Sequence, residues 1–260
     1  MNIGVFDSGL GGLTVVKTML NHLSGANIYY VADTKNAPYG EKTKEQILNF
    51  SISITDYLIS NYHIDALVVA CNTATSAAIS ELREKYPNLI IVGTEPGLRP
   101  AISHSHTKEV GVLATPATLN GEKYKTLRDE LSSEFKAHIH EQACHGLVEQ
   151  IELGELNSQK TMEMLHVWLN PMRDSGVDTI VLGCTHYPLI SDSIRKIMGE
   201  NIVLVETSEP ISKRLVKLLK DQNIISNGVN NLKIFTTGKI NDKMIEKIIG
   251  VNISTENIVL

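Results

Sequence analysis

The chain has 260 residues, 42% hydrophobic and 20% charged, with a net charge of −5, an ordinary globular composition with room for two modest domains. The acidic balance and scattered Lys and Arg exclude a basic footprint for nucleic acid or an anionic membrane surface, and no apolar run approaches the roughly 20 residues of a membrane-spanning helix. The opening MNIGVFDSG has no basic segment leading into an apolar core, and there are three cysteines, so the chain reads as a cytoplasmic protein without a disulfide framework.

A first strand is expected at Ile3–Phe6, running through the turn DSGLGG (Asp7–Gly12) into a helix at Leu13–Leu23. A Gly-rich strand-to-helix turn offers backbone N–H groups to an anion. Its spacing is not that of a dinucleotide fingerprint, and no phosphate-binding P-loop occurs, so a carboxylate suits it better than a nucleotide. Asp7 reads as a helix N-cap, as an Asx turn, or as a base. A second strand follows at Ile28–Ala32. In Lys44–Tyr62, Ile47, Ile54, Leu58 and Tyr62 fall on one helical face. Ala66–Ala70 forms the next strand and delivers Cys71 in ACNTAT, and Leu89–Val92 the one after.

The Gly- and Pro-rich GTEPGLRP (Gly93–Pro100) then breaks the pattern. Val110–Ala114 is a strand ending in ATPAT, Thr179–Leu182 one that leads to Cys184, and Ile202–Val205 another, before a second break at ETSEP (Glu206–Pro210). In Ile211–Leu219 the apolar residues Ile211, Leu215, Leu218 and Leu219 share a face, leaving Lys213, Arg214, Lys217 and Lys220 to solvent. A last strand is expected at Lys233–Thr236. The H-x-H pairs His104/His106 and His138/His140 show no third ligand, so no metal site is expected. Cys144 reads as structural, and Trp168, Met162 and Met164 as helix packing.

Alternating apolar strands and helices predict an α/β fold of open, mainly parallel sheets with right-handed crossovers, and ligands at the carboxyl ends of the strands. Cutting at the two breaks predicts one domain from residues 1–97 plus 208–260 and a second from 98–207, with an active-site cleft between them. The two domains are expected to be similar. DALVVACN (Asp65–Asn72) parallels DTIVLGCT (Asp178–Thr185), and IGVFDSG (Ile3–Gly9) parallels VGVLATP (Val110–Pro116).

That repeat places Cys71 and Cys184 at matching strand ends. A single buried cysteine is ordinary packing, whereas two at equivalent positions, each followed by polar residues, point to chemistry. A redox dithiol would favour C-x-x-C, and a zinc site needs three or four ligands. An acid/base pair needs two similar groups on opposite faces of one carbon, as in a racemase. A free thiol is only about 3% ionised at neutral pH, so each needs help: Asp7 is the candidate beside Cys71, and His186 beside Cys184. DSGLGG, ACNTAT and ATPAT together suit the carboxylates of a small amino acid.

DSGLGG, ADTKNAPYG (Ala32–Gly40), ACNTAT, LATPATL and GCTHYPL (Gly183–Leu189), in this order, resemble the glutamate racemase family within the aspartate/glutamate racemase superfamily. The resemblance implies interconversion of L- and D-glutamate by a two-cysteine mechanism. Cys71 would act on D-glutamate with Asp7 assisting, and Cys184 on L-glutamate with His186 assisting. It adds Glu152 as a further carboxylate near the second thiol. Asp7, Ser8, Tyr39, Gly40, Asn72, Thr73, Thr115, Thr118, Thr185 and His186 would line the substrate. It further implies no pyridoxal phosphate or metal, a homodimer, and supply of D-glutamate for peptidoglycan. One departure from the family pattern is His145 after the third cysteine, where Pro is common. A racemase for another acidic amino acid such as aspartate, and a non-catalytic amino-acid-binding protein, are the alternative readings.

Overall fold

The computed structural model describes all 260 residues and divides into two compact units, Met1–Glu95 with Ser208–Leu260, and Pro96–Thr207. The first unit holds β1 (Asn2–Asp7), α1 (Leu13–His22), β2 (Asn27–Ala32), α2 (Lys44–Tyr62), β3 (Ala66–Val69), α3 (Asn72–Lys85) and β4 (Ile90–Gly93). The second holds α4 (Leu98–His104), β5 (Glu109–Ala114), α5 (Pro116–Asn120), α6 (Glu122–Phe135), β6 (His138–Ala143), α7 (Leu147–Glu152), α8 (Gln159–Asp174), β7 (Thr179–Gly183), α9 (Ser191–Met198) and β8 (Val203–Val205). The chain then returns to the first unit with α10 (Ser208–Asp221), β9 (Asn231–Thr236), α11 (Asp242–Ile249) and β10 (Thr255–Asn257).

Both sheets are wholly parallel, with strand order β10-β9-β2-β1-β3-β4 in one and β6-β5-β7-β8 in the other. The run β2-β1-β3-β4 has the same order as β6-β5-β7-β8. The register agrees too: Phe6 pairs with Val69 and Leu113 with Leu182, the same positions of the two sequence repeats. The central strands are apolar because helices cover both faces of a parallel sheet. Accordingly, β1, β3, β5 and β7 are buried along almost their whole length.

The helices follow their sequence signals. Thr43 and Gln46 close a reciprocal capping box at the start of α2, and Ile47, Ile54 and Leu58 are buried on one side of that helix. On α10, Ile211, Leu215 and Leu219 are buried while Lys213, Arg214, Lys217 and Lys220 face solvent. Two strands escaped the sequence reading. The edge strand β6 has the sequence HIHEQA with no fully buried residue, and three-residue β10 is mostly exposed. Neither carries the apolar run by which buried strands are recognised.

Equivalent aspartates tie the two repeats at the opposite ends of their sheets. Asp65 Oδ2 accepts from the Asn2 N–H at 2.7 Å before β1. Asp178 Oδ2 accepts from His106 and Thr107 N–H at 2.7 and 3.0 Å before β5. Burial alone would raise the Asp178 pKa, but the donors from Ser105, Thr107, Thr179 and His106 outweigh it and hold it at about 2. A carboxylate depressed from 3.8 contributes stability above that value and loses it as pH falls toward 2. Asp178→Asn is therefore expected to flatten the decline of stability as pH falls below about 4, measured by urea denaturation of both proteins across that range.

Candidate functional site

Two clusters of chemically capable side chains stand at strand carboxyl ends, one in each unit. In the first unit, β3 runs through Ala70 into Cys71, and Ala70 N–H donates to the Phe6 carbonyl at 3.0 Å, keeping the end of β3 beside Asp7. Cys71 is the N-cap of α3, and its sulfur accepts from Ala74 N–H at 3.4 Å. A thiol in place of the usual hydroxyl or amide cap meets the partial positive charge of a helix N-terminus, a setting that favours negative charge on sulfur.

Asp7 is fully buried and Oδ1 accepts from Gly9 N–H at 2.9 Å, an Asx turn. The N-cap of α1 is Gly12, without a side-chain cap bond, so of the two structural readings of Asp7 the turn is the one seen. The turn packs tightly, since a Cβ on Gly12 would lie 2.6 Å from Asp7 Cβ and 2.8 Å from the Tyr30 hydroxyl. That hydroxyl donates to the Gly9 carbonyl at 2.6 Å. Ser8, which follows Asp7, and Asn72 and Thr73, which follow Cys71, are buried. Asn72 Oδ1 has no hydrogen-bond partner, an open acceptor of the kind that buried sites seldom leave unused.

Tyr39 and Gly40 begin a short 3-10 turn after the cis Ala37–Pro38 bond. Tyr39 packs in the same apolar cluster as Cys71 and donates its hydroxyl to Asp33 Oδ2 at 2.6 Å. Its phenol is held well above its ordinary pKa by burial, then by Asp33, Cys71 and Asp7. Asp33 was not singled out from the sequence, although it lies in the ADTKNAPYG block.

In the second unit, Cys184 directly follows β7, and its sulfur lies 3.6 Å from His186 Nδ1. The other imidazole nitrogen, Nε2, meets Glu152 Oε1 at 2.6 Å. Glu152 is the last residue of α7, so a carboxylate 34 positions away is brought against the Cys-Thr-His turn. Burial alone would lower the His186 pKa, but the hydrogen bonds and charges of Cys184 and Glu152 override it and hold the imidazole well above 6.5. With Nε2–H directed at the carboxylate, Nδ1 is left to exchange a proton with sulfur. Thr185 Oγ1 is 3.5 Å from the same nitrogen. Thr115 caps α5, accepting from Thr118 N–H at 3.3 Å, and the two hydroxyls lie 3.0 Å apart.

Cys144 is different. Burial pushes its thiol up to about 12, which leaves it an inert space-filling group. His138 and His140 bind the two oxygens of Glu109 at 2.9 and 2.6 Å, and no group of three His, Cys, Asp or Glu side chains is arranged to hold a metal ion. No helix is long and apolar enough to cross a membrane.

The chain matches the family described as Asp/Glu/hydantoin racemase over residues 3–208. It is 55% identical over 249 residues to a glutamate racemase of Sulfurovum sp. (strain NBC37-1), covering 96% of this chain and 94% of that protein. Among solved structures, a glutamate racemase isoform of Bacillus anthracis superposes with a TM-score of 0.87 at 31% identity, covering 99% and 97% of the two chains. A glutamate racemase of Francisella tularensis subsp. tularensis SCHU S4, in complex with D-glutamate, superposes with a TM-score of 0.84 at 27% identity, covering 99% and 97%.

Glu152→Gln removes one of the two groups that oppose burial at His186, so the imidazole pKa is expected to fall. Nitrogen-15 NMR titration of the His186 ring in wild type and variant measures the shift. By linkage, the raised pKa contributes stability fully below about 6.5 and loses it as pH rises through the folded value.

Proposed function

Since the chain belongs to the Asp/Glu/hydantoin racemase family, and is by that membership an isomerase, we propose that it interconverts L- and D-glutamate with Cys71 and Cys184 as the two acid/base groups. The observation that carries this reading is the pair of thiols at equivalent strand ends of two like-ordered sheets, each with its own polar support. Racemisation removes the α-proton from one face of the carbon and returns one to the other, and two independently supported thiols are the groups such a reaction requires.

Cys71, with Asp7 as its auxiliary, takes the α-proton of D-glutamate, and Cys184, as the opposite acid, delivers a proton from its S–H. For L-glutamate the roles exchange. His186 receives or returns the Cys184 proton through Nδ1 while Glu152 steadies the imidazolium through Nε2. The α-proton is far less acidic than a thiol, so stabilisation of carbanion-like charge is the main demand on the site. Backbone N–H groups of the Ser8 and Tyr39–Gly40 turns and the hydroxyls of Thr73, Thr115, Thr118 and Thr185 are suited to hold carboxylates. The open Asn72 Oδ1 suits an α-ammonium. The choice of glutamate is supported by the named relatives, one of which holds D-glutamate. Supply of D-glutamate for peptidoglycan is the corresponding role in the cell.

Incubation with L-glutamate in D₂O is expected to yield D-glutamate carrying deuterium at the α-carbon, with aspartate enantiomers turned over far more slowly. Retention of the α-proton would overturn the reading, and faster aspartate turnover would move the substrate assignment. Cys71→Ala and Cys184→Ala are each expected to lower racemisation by about 10²–10⁴-fold in both directions, followed by circular dichroism of the glutamate solution.

A further inference from the structure

Asp33 follows β2 and is 1% exposed, yet all of its side-chain partners are neutral. Asn36 Nδ2 reaches both carboxylate oxygens at 3.1 Å, Tyr39 OH donates to Oδ2 at 2.6 Å, and Thr237 Oγ1 donates to Oδ1 at 2.7 Å. Burying a carboxylate without a cation is unfavourable unless strong hydrogen bonds replace water, and here three donors converge for that purpose. The surroundings are tied in as well. Asp33 N–H donates to the Asp7 carbonyl at 2.9 Å, Thr237 N–H to the Ala32 carbonyl at 3.1 Å, and Lys35 N–H to Thr237 Oγ1 at 3.1 Å.

Asp33, which follows β2, thus reaches the end of β1 through its backbone N–H, and through its carboxylate the end of β9 and the turn that carries Tyr39 and Gly40. It also sets the direction of a proton. With the Tyr39 hydroxyl hydrogen committed to Asp33, the phenol oxygen offers only lone pairs to anything else. Tyr39 shares its apolar cluster with Cys71, so the clasp orders the turn on the same side of the fold as the first thiol.

Resting on the glutamate reading above, we propose that Asp33 is a positioning residue for substrate binding: through the Tyr39 hydroxyl it holds the Tyr39–Gly40 turn in the geometry that receives a substrate carboxylate. Asp33 does not itself touch the reacting carbon. Its loss weakens ground-state and transition-state binding alike, so KM rises while kcat is largely kept.

The test is a double-mutant cycle on glutamate racemisation with Asp33→Asn, Tyr39→Phe and the double variant, thermal unfolding being followed alongside. Asp33→Asn and Tyr39→Phe are each expected to raise KM for both enantiomers by about tenfold, the scale of one hydrogen bond to a charged group, with kcat within about threefold. Because both act through one bond, the double variant is expected to raise KM no further than the larger single effect, whereas independent actions would multiply to about a hundredfold. Thr237→Val keeps the charge and removes one donor. It is expected to raise KM by about threefold, and it carries the test if Asp33→Asn does not fold. An unchanged KM in the variants, multiplying effects, or a fall in kcat with KM constant would overturn the proposal. Failure of the underlying reading is separate, since wild-type protein would then racemise neither enantiomer.

Discussion

Parallel pairing sends the carboxyl end of every strand to one edge of its sheet, and each candidate group depends on that constraint. Within a unit, the residue after a central strand and the turn after its neighbour must share an edge, whatever their separation in sequence. Cys71 comes to lie beside the end of β1 because Phe6 pairs with Val69, and Cys184 beside the end of β5 because Ala114 pairs with Gly183. A slip by one residue in either ladder would turn the side chains of that strand to the opposite face. The half-buried aspartates at the far edges, Asp65 and Asp178, help fix that register.

The two thiols are alike in position and unlike in support. Cys71 has a helix N-terminus and an N–H donor, fixed dipoles that stabilise charge without moving a proton. Cys184 has an imidazole backed by a carboxylate, a partner that can itself carry the proton. The His186–Glu152 bond favours the protonated imidazole against the burial that opposes it.

Much of this was legible in the sequence, and the exceptions have physical causes. The apolar strands β1, β3, β5 and β7 announce themselves because both faces are covered, and the cysteines stand out because the strands that carry them repeat. Strand β6 did not, since HIHEQA at a sheet edge needs no continuous apolar run. The Asp7 turn was readable only as a set of alternatives, because an Asx turn and an N-cap use the same residue types. The placement of Glu152 near the second thiol came from family resemblance, and its bond to His186 only from the structure, since no local spacing encodes a contact across 34 positions. Asp33 went unnoticed because an acidic residue in a turn reads as solvent-exposed, and the donors that bury it include Thr237, 204 positions away.

The discontinuous layout also sets an order of assembly. A ribosome releases the chain from its N-terminus, so the strands of the second unit, β5 to β8, are complete before any of β9 has been made. The first unit must wait: β2 lacks its outer neighbour, and Asp33 lacks the hydroxyl of Thr237, until residues 231–237 emerge. A nascent chain halted just short of β9 would own both cysteines and their immediate partners while its Asp33 carboxylate still lacked one of its donors. Residues 231–237 thereby act as a late-arriving pin for the half of the candidate site encoded first.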